Sequence, residues 1–127
     1  MSIRYRPYNP NPKRARIEDC AVRALSKALN MSWDDVYSEL TAQGFIMKDM
    51  PHAIKVWGAC LYKRGYDREF IRGHEEEGQT VSEFCEEHQE GTFVLVLDGH
   101  TVCAKDGCYY DTWDSGEELI DYYWRKK

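Results

Sequence analysis

Residues 92–113 read Thr92-Phe93-Val94-Leu95-Val96-Leu97-Asp98-Gly99-His100-Thr101-Val102-Cys103-Ala104-Lys105-Asp106-Gly107-Cys108-Tyr109-Tyr110-Asp111-Thr112-Trp113. The run Thr92 to Leu97 is rich in β-branched and large apolar residues, and Asp98-Gly99 closes it with a turn signal. Asp106-Gly107 then separates residues 100–104 from residues 108–113. Aspartate followed by glycine is a strong hairpin signal, because both central residues of the tight turn take positive φ. The stretch predicts three antiparallel strands in succession.

A two-residue turn at Asp106-Gly107 sets the register. Lys105 then faces Cys108, Val102 faces Asp111 and His100 faces Trp113. Side chains alternate along a strand, so His100 and Asp111 fall on one face as diagonal neighbours. Asp114 falls on the other. Asp111 is placed to hold the His100 imidazole in one tautomer, with Trp113 shielding the pair. A slip of one residue would destroy the arrangement.

Working back along the chain, the period changes to helical. Cys20 to Leu29 follows Asp19, a good N-cap residue, with Val22, Leu25 and Leu29 on one stripe and Ala21, Ala24 and Ala28 beside it. A second helix is expected from Ser32, with Asp35 completing a capping box, to Gly44. A third begins near Asp49, has Pro51 in its first turn and runs to about Lys63. Gly58 inside it signals close packing or an early end. A fourth runs from Thr80, boxed by Glu83, to Gly91. Residues 68–72 read as a short strand. Residues 117–125 read as a strand or a short helix, and the aromatic residues there suit core and sheet faces.

Residues 1–18 hold Pro7, Pro10 and Pro12, and the first 16 carry five basic residues without an acid, so the segment reads as an extended basic arm. The expected organisation is one domain over 1–127: the arm (1–18), a mainly helical part (19–91) and an antiparallel sheet (92–127). Helices first and antiparallel strands last define an α+β order.

Composition narrows the function classes. The chain has 127 residues, 43% hydrophobic and 31% charged, which is the balance of a soluble globular domain. The longest apolar run, Phe93 to Leu97, is far short of the roughly 20 residues that span a bilayer. No secretory signal is legible, so the expected location is cytoplasmic. A net charge of −5 opposes non-specific binding to nucleic acid or anionic membrane. The basic arm is expected to be solvated or docked on the protein's own acidic surface.

Five cysteines in such a chain read as free thiols. Cys60, Cys85, Cys103 and Cys108 have packing explanations, and no CxxC spacing supports a metal site. His52, His74 and His88 read as surface residues. Cys20 differs by position. In the first turn of a helix, unpaired N–H groups and the helix dipole favour a thiolate. With His100 and Asp111 it completes a nucleophile, a base and an orienting carboxylate, the logic of a thiol hydrolase.

These segments also carry a resemblance. Asp19-Cys20-Ala21-Val22-Arg23-Ala24-Leu25 is similar to the Asp-Cys-Gly opening of the nucleophile helix in bacteriocin-leader peptidases. Gly99-His100-Thr101-Val102 and Tyr110-Asp111-Thr112-Trp113-Asp114 resemble their His and Asp strands. The chain thus resembles compact papain-like cysteine peptidases, and more closely small bacterial and phage proteins sharing an Asn-rich arm, DC-x-x-RA, GH and DTW. The resemblance implies a papain-like fold and a hydrolase acting on a peptide or amide bond through Cys20, His100 and Asp111. It implies a monomer acting on a protein or peptide, with no cofactor, metal, nucleic acid or membrane. Where those peptidases carry a glutamine oxyanion donor six residues before the cysteine, this chain has Arg14, and Ala21 replaces their glycine. Asn9, Asn11 and Arg14 are the candidate donors, with the Cys20 N–H as the second. Arg23, one turn after Cys20, and Trp113 are candidate substrate contacts, but a structural ion pair or a surface position is the favoured reading of Arg23. Deamidation or transglutamination by the same triad, and a non-catalytic protein-binding module, are the alternatives.

Overall fold

A computed structural model describes residues 3–127. In chain order the elements are β1 (Tyr5–Pro7), α1 (Cys20–Leu29), α2 (Trp33–Met47), α3 (Ile54–Lys63), β2 (Tyr66–Phe70), α4 (Val81–Glu87), β3 (Thr92–Leu97), β4 (His100–Lys105), β5 (Cys108–Asp111) and β6 (Ile120–Lys126). The strands form one sheet in the order β1-β5-β4-β3-β6-β2. The architecture is α+β, four helices on a six-stranded sheet.

The centre of the sheet follows the reading of residues 92–113. Lys105 pairs with Cys108 and Cys103 with Tyr110, the register of a two-residue turn. Asp106 and Gly107 take φ of 50° and 82°, as that turn demands. β3 lies between β4 and β6 and is buried on both faces, which is why its sequence is continuously apolar. Val94 and Val96 enter one core with α1, α2 and α3. Phe93, Leu95 and Leu97 enter the other with Val81, Phe84 and Cys85 of α4.

α1 lies against β4, and its buried alanines, Ala21, Ala24 and Ala28, let the helix approach the sheet closely. Leu25 is only 1% exposed, and truncating such a core leucine to alanine costs about 2–5 kcal/mol. This packing holds the N-terminus of α1 beside the ends of the central strands.

Several expectations are corrected. The Asp19 carboxylate does not cap α1; it is turned to side chains of α1 and α2 instead. α2 passes Gly44 and ends at Met47, because Gly44 serves a close approach: a Cβ there would lie 2.7 Å from the Asp49 carbonyl oxygen. α3 starts at Ile54, residues 49–53 being turn and connection. Gly58 within it does mark close packing, since a Cβ would meet the Trp124 ring at 3.1 Å.

The sheet is also wider than residues 92–127. The arm contributes β1, which pairs parallel with β5 at the edge, so this part is docked on the sheet and the sheet is not wholly antiparallel. β2, from the mainly helical part, forms the opposite edge against β6. Thr80 and Glu83 form the expected capping box. No helix among the described residues is long and apolar enough to cross a membrane.

Candidate active site

The first residue of α1, the first of β4 and the last of β5 meet at one end of the sheet. Cys20 is half-buried, and its thiol lies close enough to the His100 side chain and the Thr101 backbone N–H for both to favour its thiolate. His100 Nε2 lies 2.7 Å from Asp111 Oδ2. With Nε2 held there, Nδ1 is the nitrogen left for the thiol. The three residues singled out from the sequence are therefore together.

Asp111 is 1% exposed, and a carboxylate that deep needs donors. Beyond His100 it accepts from Ser115 Oγ at 2.7 Å, the Thr112 N–H at 2.8 Å and Arg23 at 3.3 Å. Its backbone carbonyl accepts from the Tyr8 N–H at 2.8 Å and the Tyr5 hydroxyl at 3.2 Å, so β1 pins the residue from the sheet edge. Asp114, past the end of β5, turns away and accepts from the Tyr109 hydroxyl. Trp113 covers the imidazole, with ring centroids 5.0 Å apart, while remaining 43% exposed.

Electrostatics follow from these contacts. Burial alone disfavours a Cys20 thiolate. Hydrogen bonds from His100 and Thr101, with the positive charges of His100 and Arg23, override it and bring the thiol below its ordinary value of 9.0. Burial likewise disfavours an imidazolium at His100. The hydrogen bonds to Asp111 and Cys20, and their negative charges, push it up to about 9. The two shifts act together: each of the pair holds the other's charged form more strongly than water alone would. The other buried thiols behave oppositely: burial pushes Cys60 up to about 11 and Cys85 and Cys103 up to about 12.

A cleft of about 670 Å³ opens over Cys20 and His100. Ile17, Ile54, Trp57, Leu97 and Trp113 supply its apolar wall, and Arg16, Glu18 and His52 add polar groups. Arg23 touches the cleft, but its guanidinium is engaged by Asp19 and Asp111. The ion-pair reading of Arg23 is the one the geometry matches.

Asn9, Asn11 and Arg14 are not brought to the cleft. Asn9 donates to the Ala15 carbonyl and accepts from the Asn11 N–H, and Asn11 accepts from the Lys13 N–H. Arg14 is exposed, with φ of 54°. These residues fold the arm onto itself. The part of the arm that reaches the cleft is Arg16 to Glu18.

Sequence reasoning missed the second layer. Asp19 and Arg23 are four apart on one helix, a spacing that signals an ion pair, yet Asp19 was read as a cap. Ser115, just past the Asp111 strand, had no signal pointing inward. Trp33, whose Nε1 donates to Asp19 at 2.9 Å, had none either. Of the histidines read as surface residues, His52 is exposed, His74 pairs with Glu87, and His88 stacks on Phe84 with ring centroids 3.9 Å apart. Among the described residues, no group of three or more His, Cys, Asp or Glu is arranged to hold a metal ion.

No protein-family model, curated protein or solved structure matches the chain. The site's chemistry is the ground on which a function can be argued.

Proposed function

We propose that the chain is a cysteine-dependent, peptidase-like hydrolase of papain-like type, acting on a peptide or amide bond of a protein or peptide substrate. The observation that carries the reading is the chain of contacts from Cys20 to His100 to a buried Asp111. A nucleophile helix laid against an antiparallel hairpin bearing the base and its orienting carboxylate is the arrangement that chemistry uses.

In the first half-reaction the Cys20 thiolate attacks the carbonyl carbon and a C–S bond forms. The oxyanion is met by the backbone N–H of Cys20, which has no partner inside the helix. The C–N bond then breaks, and the His100 imidazolium gives its proton to the leaving amine. In the second half-reaction, neutral His100 takes a proton from water as the oxygen attacks the thioester. The C–S bond breaks, the acid leaves and the thiolate–imidazolium pair is restored. Asp111 holds the imidazole throughout. Trp113 packs against the imidazole, and the apolar wall of the cleft offers a surface for substrate side chains.

A peptide library, incubated with the wild-type protein and with Cys20→Ala, tests the reading. A peptidyl electrophile run in parallel reports the nucleophile directly. New peptide termini that require Cys20, and electrophile labelling of Cys20 that His100→Ala abolishes, are expected. Ammonia release without chain cleavage would redirect the reading to deamidation. If Cys20 labels no faster than Cys108, which is also half-buried, the nucleophile assignment fails.

A further inference from the structure

Arg23 is 6% exposed and carries the only guanidinium among the described residues that is buried this deeply. One terminal nitrogen pairs with Asp19 Oδ1, and the other lies 3.3 Å from Asp111 Oδ1. Nε is buried without a hydrogen-bond partner. Asp19 is itself fixed on its other oxygen by Trp33 Nε1, from the first turn of α2.

We infer that Arg23 is a positioning residue, whose guanidinium spans Asp19 and Asp111 and thereby fixes the plane in which the Asp111 carboxylate meets His100. The inference rests on the hydrolase reading of Cys20. A carboxylate with one free oxygen can rotate about its Cβ–Cγ bond and turn its plane away from the imidazole. Here Arg23 and the Thr112 N–H both hold Oδ1, leaving Oδ2 for His100 and Ser115. Stability is a poor reason for the device. A buried ion pair often contributes no more than an apolar replacement, because desolvation cancels the attraction, and here one donor is also left unmade. A rigid fork, by contrast, holds its two terminal nitrogens at a fixed spacing and so ties Asp111 to Asp19 in a way that a single ammonium cannot.

The charged and titratable groups around Cys20 come from every neighbouring element. They are His100 on β4, Asp111 on β5, Asp19 and Arg23 at the start of α1, Arg16 and Glu18 before it, and His52 before α3. Of these, His100, Asp111, Asp19 and Arg23 are linked by contacts, so a change at Arg23 must reach Cys20 through Asp111 and His100 or through its own charge.

The experiment is the pH profile of Cys20 alkylation by iodoacetamide, read by peptide mass mapping. It compares the full-length wild type with Arg23→Met, Arg23→Lys and Leu40→Ala. Leu40 is a buried α2 core residue away from the site and controls for general loosening. In Arg23→Met, the Cys20 rate near pH 6 falls about tenfold or more, as the midpoint returns toward that of an ordinary thiol. Arg23→Lys keeps the cation but not the fork and recovers only part of the rate. Leu40→Ala lowers stability and leaves the midpoint in place.

An Arg23→Met profile that matches wild type overturns the inference, as does a midpoint that Leu40→Ala moves equally. Should Arg23→Met not fold, Arg23→Lys decides, and a wild-type profile there overturns it. A wild-type Cys20 with an ordinary thiol profile overturns the hydrolase reading and this inference together. An early wild-type midpoint with an unchanged Arg23 variant overturns this inference alone.

Discussion

His100 Nε2 and Asp111 Oδ2 lie 2.7 Å apart, with the carboxylate 1% exposed and the imidazole covered by Trp113. Two residues eleven apart in sequence meet because a two-residue turn sets their strands in one register. What the pair does to charge at this end of the sheet can be measured in several ways.

The first consequence concerns stability against pH. His100 is raised from 6.5 to about 9. A group raised on folding stabilises fully below its unfolded value, and that stabilisation is lost as pH rises through the folded value. The Cys20 thiol is lowered and contributes with the opposite sign, so it is best removed. In a Cys20→Ala background, the stability gap between His100 and His100→Asn should be widest below pH 6.5 and should close before about 9, since Cys20 no longer helps to raise the imidazole. Chemical denaturation across that window checks this. A gap that widens with pH contradicts the assignment.

Thiol selectivity is the second. At neutral pH the Cys20 thiol is lowered while Cys60, Cys85 and Cys103 are pushed up to about 11 or 12 and buried. Since the thiolate is the reacting species, brief iodoacetamide treatment should modify Cys20 at least about tenfold faster than those three. Peptide mass mapping reads the ratio. Replacing His100 with alanine should erase most of it.

Gly116 offers a test of packing beneath the site. A Cβ there would lie 2.2 Å from the Tyr109 hydroxyl oxygen and 2.8 Å from Cζ of the same ring. Tyr109 is fully buried, so it has little room to yield. Gly116→Ala should cost about 1–3 kcal/mol, or more if β5 shifts. It should also reduce Cys20 reactivity, because Ser115 next to it holds Asp111. A urea titration with unchanged midpoint would refute the close approach.

The arm gives the last prediction. Tyr5 Oη donates to the Asp111 carbonyl, where the Tyr8 N–H also bonds. Tyr5→Phe removes one of two donors from a carbonyl that remains bonded, so the loss should be modest, about 0.5–1.5 kcal/mol. The Cys20 alkylation profile should be nearly unchanged, since the Asp111 side chain keeps all its partners. A large fall in reactivity would mean that β1 controls the carboxylate and not only the backbone.

The comparison of sequence with structure turns on particular residues. Asp106-Gly107 requires positive φ at two adjacent positions, so the β4–β5 register, and with it the His100–Asp111 pair, was legible locally. The alanine-lined stripe after Asp19 marked α1 and put Cys20 at its start. Gly44 and Pro51 misled, since a glycine in close contact and a proline in a turn look like a helix end and a helix start. Asn9, Asn11 and Arg14 misled for another reason. A short polar arm satisfies itself through local turns, which no spacing rule distinguishes from reaching toward a cleft.

By itself, the sequence determined what adjacent residues decide: the starts of α1, α2 and α4, the tight turn, the continuous apolar run of β3 and the parity of His100 with Asp111. Only the tertiary structure decided the rest. Parallel pairing of β1 with β5 closes a loop of about a hundred residues, and β2 reaches the far edge through β6. Such pairings depend on which edge is left open, not on local propensity, because many strands could satisfy the same backbone groups. The Arg23 fork between Asp19 and Asp111, and the Trp33 contact behind it, likewise exist only once α1, α2 and β5 are packed. Burial then makes each unpaired charge costly, and that cost selects the partners.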